Sequence, residues 1–130
     1  MSAGAGFIVC LAATLALLGC VVATGLRAQR KRHITLVVLS FAALGATIRC
    51  AILLGKHFDL AGAGIITPIH LSLAKATTGC YLLPVATGIR TIFAPATKRW
   101  HRRFAFLALG MTVATAITGT LMLWLAPRAG

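Results

Sequence analysis

The sequence predicts an all-α integral membrane protein, an antiparallel four-helix bundle with both termini outside. Three observations predict it. The 130 residues are 59% hydrophobic, well above the roughly 45–50% apolar content usual for a soluble domain. Four long apolar runs follow one another, at approximately 5–26, 34–55, 65–89 and 104–126. The basic residues gather between those runs, as they do in cytoplasmic loops.

Composition sets the solvent. A soluble fold of this length has no core large enough to hide so much Leu, Ala, Val and Ile. Mean hydropathy is +0.95. Lipid suits such a chain, and its length suits one transmembrane domain over 1–130 with spans at about 5–26, 34–55, 67–89 and 102–126. Each run exceeds the ~20 residues that cross a hydrocarbon core. In lipid the backbone must satisfy itself, so the runs are expected as helices. Short connectors make successive helices antiparallel.

The first run lacks a basic leader and is long enough to remain as a span, so no cleavable signal peptide is expected. "RAQRKRH" (27–33) separates runs one and two, "GKHFDLAGAG" (55–64) runs two and three, and "RTIFAPATKRWHRR" (90–103) runs three and four. The first and third separators are strongly basic, whereas the second pairs Lys56 with Asp59. Loops one and three are therefore expected in the cytoplasm, with the chain as a multi-pass protein of the cell inner membrane. In the third run, Thr67-Pro68 reads as an N-cap followed by proline at the first helical position. Pro84 should kink that helix. In the fourth, about 36 Å of helical rise separates Trp100 from Trp124, one aromatic for each interface. No internal repeat and no low-complexity segment is expected.

The charge is lopsided, with 13 Lys and Arg against a single acid, Asp59. The excess lies between apolar runs and not on one hydrophilic face, so the partner it indicates is the lipid bilayer and not nucleic acid. The missing carboxylates exclude a proton relay or a cation exporter built on membrane-embedded Asp or Glu. No nucleophile elbow, P-loop, zinc-protease or dinucleotide-binding pattern is present. An enzyme is not expected; a redox carrier or assembly factor is the most the sequence supports. Cys10, Cys20, Cys50 and Cys80 lie singly within apolar runs and read as small buried hydrophobes.

The four histidines divide by side. His33 and His101 stand at the basic ends of runs two and four; His57 and His70 stand at the opposite ends of runs two and three. Two histidines at each face are what one or two bis-histidine b-type haems require, with ligands on facing helices of a bundle. His33 would pair with His101, and His70 with His57. Helical phase puts His70 in line with Thr77, Tyr81 and Gly88, and His101 with Ala108, Thr112, Thr115 and Gly119. His33 shares a stripe with Ser40, Leu44, Thr47 and Ala51. Small and hydroxylated stripes mark helix contact in membranes, so His70 and His101 should point inward, whereas the stripe of His33 is mixed, because bulky Leu44 would sit comfortably in lipid. The plain alternative is that an interfacial histidine needs no ligand, and for His57, in a loop, that alternative is the stronger.

Arg49 and Lys75 fall inside runs two and three, each about 10 Å of helical rise from the outer end. Either their stems snorkel to the headgroups, or an anionic group such as a haem propionate or a phospholipid headgroup faces them.

The stretches "RKRHITLVVLSFAALGATIR" (30–49), "TPIHLSLAKATTG" (67–79) and "HRRFAFLALGMTVATAITGTLML" (101–123) resemble the YozB/CtaM-like family of small four-helix membrane proteins. The likeness covers roughly 27–125. That family carries a histidine opening the second span, one early in the third and one opening the fourth, followed by a Thr-Gly pair, matching His33, His70, His101 and Thr118-Gly119. The resemblance implies a role in maturing haem-A-containing terminal oxidases. More distantly, the arrangement is similar to the four-helix cores of transmembrane b-type cytochromes. Haem handling is thus expected, as transmembrane electron transfer or as delivery during oxidase assembly, with other membrane subunits or a terminal oxidase as partner. The competing expectation is a non-catalytic subunit that packs against a larger membrane complex.

Overall fold

The computed structural model describes residues 3–128. They are helical throughout apart from connectors and one isolated bridge between Phe58 and Arg128. The chain divides into two compact units, Met1–Phe58 with Arg128–Gly130, and Asp59–Pro127.

The first unit is a helix hairpin. α1 spans Ala3–Leu26 and α2 spans Arg30–Gly55. The turn between them is closed by two backbone bonds, Gln29 N–H to the Thr24 carbonyl at 3.0 Å and Ala28 N–H to Gly25 at 3.3 Å. That pattern is a Schellman turn, whose pivotal residue adopts a left-handed conformation. Here the pivot is Ala28, at φ 56°, where glycine would be the unstrained choice.

The second unit begins with a short 3₁₀ turn, Ala61–Ala63, and continues into α3 (Ile66–Cys80), α4 (Leu82–Phe93), a 3₁₀ turn at Pro95–Thr97 and α5 (Lys98–Leu125). Its two ends are tied together where Asp59 N–H donates to the Pro127 carbonyl at 2.9 Å. Gly62 is demanded by that closure, because a Cβ there would lie 2.8 Å from the Pro127 ring.

Two local expectations are refined. The third helix starts at Ile66, with Ile65 at its cap. Thr67 does not cap it; its hydroxyl donates instead to the Leu60 carbonyl at 2.5 Å. Pro68 is still accommodated, since N–H groups of a first turn have no intrahelical partner to lose. The third run is also not one helix. It breaks at Tyr81 into α3 and α4, because Pro84 has no N–H to give the Cys80 carbonyl one turn back. The backbone at Tyr81 stays near helical values, φ −61° and ψ −22°.

The interior is small and polar, and the surface is large and apolar. Thr14, Ser40, Thr47, Thr77, Ala108 and Thr112 are buried, whereas Ile8, Val38, Ile52, Leu82 and Ile117 are each more than 60% exposed. That inversion suits a hydrocarbon solvent, in which close approach of small residues replaces hydrophobic burial as the packing force. Gly4–Leu26, Arg30–Gly55 and Pro95–Leu125 are long and apolar enough to cross a membrane. α3 and α4 are each shorter than a span.

Candidate functional site: histidines seated on glycines

Three of the four histidines sit in the same local device. In the first unit, His33 lies in the first turns of α2, and its Nδ1 is 3.0 Å from the Val21 carbonyl of α1. A carbonyl only accepts, so Nδ1 carries the proton. One turn beyond Val21, Gly25 leaves the room the ring occupies: a Cβ there would stand 3.1 Å from Cε1. In the second unit, His101 of α5 donates from Nδ1 to the Pro84 carbonyl of α4 at 2.9 Å. Gly88, one turn beyond Pro84, would place a Cβ 3.2 Å from the same ring atom.

His70 repeats the device at the far end of α5. Its Nδ1 lies 3.1 Å from Thr118 Oγ1, with the Thr115 carbonyl also facing the ring. The Thr118 hydroxyl has the carbonyls of Ala114 and Thr115 as acceptors at 3.0 and 3.1 Å, so toward the imidazole it accepts. Gly119, one turn beyond Thr115, is the tightest seat, since a Cβ would meet Cε1 at 2.7 Å.

The likeness between units runs deeper than the histidines and corrects the expectation of no internal repeat. "VVATGLR" (21–27) is matched by "PVATGIR" (84–90), and "RKRH" (30–33) by "KRWH" (98–101). One common spacing separates Thr14 from Thr77, Val21 from Pro84 and Gly25 from Gly88. A second separates His33 from His101, Ser40 from Ala108 and Thr47 from Thr115. Contacts follow the same register. Thr14 and Thr47 pair hydroxyl to hydroxyl at 2.8 Å in one unit, and Thr77 and Thr115 pair at 2.8 Å in the other. The two units are copies of one hairpin, with the longer connector of the second absorbed by the Pro95–Thr97 turn.

The copies also differ. By spacing, Phe7 occupies the position of His70, and Cys50-Ala51 that of Thr118-Gly119. Tyr81 adds a bond found only in the second unit, from its hydroxyl to Thr112 Oγ1 at 2.6 Å. A Thr-Gly pair alone does not make a seat: Thr78-Gly79 is another, and nothing lies within 4 Å of a Cβ built at Gly79.

The other candidates fall outside the device. His57 is exposed beyond the end of α2, with its backbone N–H on Leu54. Arg49, in the first unit, and Lys75, in the second, are exposed among apolar neighbours. Each expected histidine pair takes one member from each unit. Among the described residues no group of three or more His, Cys, Asp and Glu side chains gathers to hold a metal ion.

Sequence reasoning found the histidines and their inward phase. It missed the carbonyls of Val21, Pro84 and Thr115 and the glycines that seat the rings. The signal that would have found the seats of His33 and His101 is the repeated Ala-Thr-Gly ahead of each basic connector; the seat of His70 carries no such signal. No protein family, curated protein or solved structure matches the chain.

Proposed function

We propose that the protein binds haem within the membrane and serves transmembrane electron transfer or the assembly of a terminal oxidase. The single observation that carries this reading is the state in which His33, His70 and His101 are held. Each ring has its Nδ1–H engaged by the neighbouring helix, which makes Nε2 the basic nitrogen. Histidines that ligate metals are oriented in this way, by a hydrogen bond from the other ring nitrogen. The donor chemistry therefore fits axial ligation of a b-type haem, a group that would supply one-electron redox chemistry.

The chain's own part is to fix the direction and tautomer of each ring through the bond at Nδ1. His33 and His101 are equivalent ligands of the two copies. His70 is a ligand of the second copy alone. His57 has no comparable hold on its ring and is the weakest ligand of the set. Arg49 and Lys75 offer positive charge to propionates or to phospholipid headgroups. The chain lies in the inner membrane with "RAQRKRH" and "RTIFAPATKRWHRR" in the cytoplasm, α3 and α4 together making the third crossing. The likeness to the YozB/CtaM-like family favours oxidase assembly among the two roles.

A second reading, a packing subunit of a larger membrane complex, draws on the exposure of Arg49 and Lys75 among large apolar side chains. One experiment separates the two. The chain is purified in mild detergent, and oxidised and dithionite-reduced spectra are recorded. Sharp reduced α-bands that His101→Ala or His70→Ala removes are expected for ligation. A colourless, stable protein that copurifies only with other subunits overturns the haem reading and leaves the packing role.

A further inference from the structure

The thiols of Cys10 and Cys50 face one another across α1 and α2, with Sγ atoms 3.8 Å apart. Both are half-buried and unbridged. One turn deeper, the Thr14–Thr47 hydroxyl bond holds the same two helices together at 2.8 Å. The second unit supplies an internal control. There the equivalent positions are Leu73 and Thr118, yet the equivalent Thr77–Thr115 bond forms at the same length. Helix contact of this type therefore needs no thiols, and the facing pair belongs to the first copy and not to the second.

We propose that Cys10 and Cys50 form a dithiol site that closes reversibly into a disulfide between α1 and α2. The proposal is independent of haem binding. A disulfide brings sulfurs to about 2.05 Å, so the pair must close by just under 2 Å, a distance on the scale of rotation about the two Cα–Cβ bonds. At about 1.5 Å of rise per residue, Cys10 lies roughly 10 Å from the start of α1 and Cys50 roughly 8 Å from the end of α2. Both are at the end of the hairpin remote from the basic turn. If that turn is cytoplasmic, the thiols lie toward the oxidising side, where disulfides persist.

The chemistry is exchange with a small disulfide able to enter the bilayer. One cysteine thiolate attacks it and releases one small thiol, leaving a mixed disulfide. The second thiolate then displaces the other small thiol. The protein loses two electrons and two protons, and the oxidant disulfide gains them as two thiols. The product ties residues 40 apart in sequence and fixes α1 against α2.

The test uses dipyridyl disulfide on the full chain in liposomes, with Cys20→Ser and Cys80→Ser removing the other two thiols. At limiting oxidant, both remaining thiols are expected to disappear together. The monomer should lose about 2 Da, the two hydrogens of the exchange, and the tryptic segment 1–27 should be linked to 50–56. Dithiothreitol should reverse the change. Adding Cys10→Ser should leave Cys50 carrying a single pyridyl adduct and no linkage. Thiols that stay open to alkylation, stable pyridyl adducts on both cysteines, or disulfide-linked dimers each overturn the proposal. Should the double variant fail to fold, the same peptide linkage is sought in the natural sequence, where its absence is equally decisive.

Discussion

His101 donates its Nδ1 proton to the carbonyl of Pro84 at 2.9 Å. The residue that breaks the third apolar run thus also provides the acceptor that orients a histidine on the next helix. The counterpart in the first unit is Val21, not a proline, and it accepts from His33 at 3.0 Å. The bond is therefore a property of the hairpin and does not depend on the break. Replacing Pro84 by Ala should restore the missing backbone bond across Tyr81 while keeping the carbonyl. The expected outcome is a gain in helix stability, in the direction of the ~3 kcal/mol that proline costs inside a helix, with the His101 Nδ1–H still protected in nitrogen NMR. Loss of that protection would show that the kink, not the carbonyl alone, places the acceptor.

The glycines rank by the space they leave. Gly119→Ala puts a Cβ 2.7 Å from the His70 ring, whereas Gly25→Ala and Gly88→Ala put one at 3.1 and 3.2 Å from their rings. Gly110 has nothing within 4 Å. Gly119→Ala should destabilise by about 1–3 kcal/mol, the usual range for an overpacked contact. Gly25→Ala and Gly88→Ala should cost less, and Gly110→Ala should be neutral or slightly stabilising. Unfolding in mixed micelles checks the order. Equal effects at Gly110 and Gly119 would contradict it.

The paired threonines should behave alike in the two units. Thr47→Val and Thr115→Val each remove a 2.8 Å hydroxyl bond to the facing helix. Each is expected to lose about 0.6 kcal/mol, the average measured for such bonds between membrane helices. In a cycle with Thr14→Val or Thr77→Val the losses should be clearly less than additive. Additive losses would mean that the hydroxyls do not interact.

Ala28 occupies the left-handed pivot of the turn between α1 and α2, at φ 56°. Ala28→Gly should stabilise the first unit by about 1 kcal/mol, the penalty a Cβ carries in that region. A melting curve unchanged or lowered by the substitution would show that the turn relaxes to accommodate alanine.

The proposed orientation is tested by labelling. In a chain with its own cysteines replaced by serine, Gln29→Cys and Ala96→Cys should react with an impermeant maleimide only after cells are opened. Ala61→Cys should react in intact cells. The opposite pattern would invert the topology.

The sequence by itself determined the solvent and the apolar runs that become helices, though not the division of the third run into two. An apolar run in lipid can satisfy its backbone only as a helix, so run length and Lys/Arg placement were enough to locate the helices in which His33, His70 and His101 lie. Phase at 3.6 residues per turn was enough to put His70 in line with Thr77 and His101 in line with Thr112, but left His33 on a mixed stripe with Ser40 and Leu44. Tertiary structure alone decided what each ring meets, because a hydrogen bond from His33 to Val21 or from His101 to Pro84 depends on how two helices are staggered along their axes. No periodicity within one helix carries that stagger. It also exposed the repeat, whose shared letters are few, because packing preserves the spacing of Thr14 with Thr47 and of Thr77 with Thr115 while lipid-facing positions are free to exchange one large apolar residue for another.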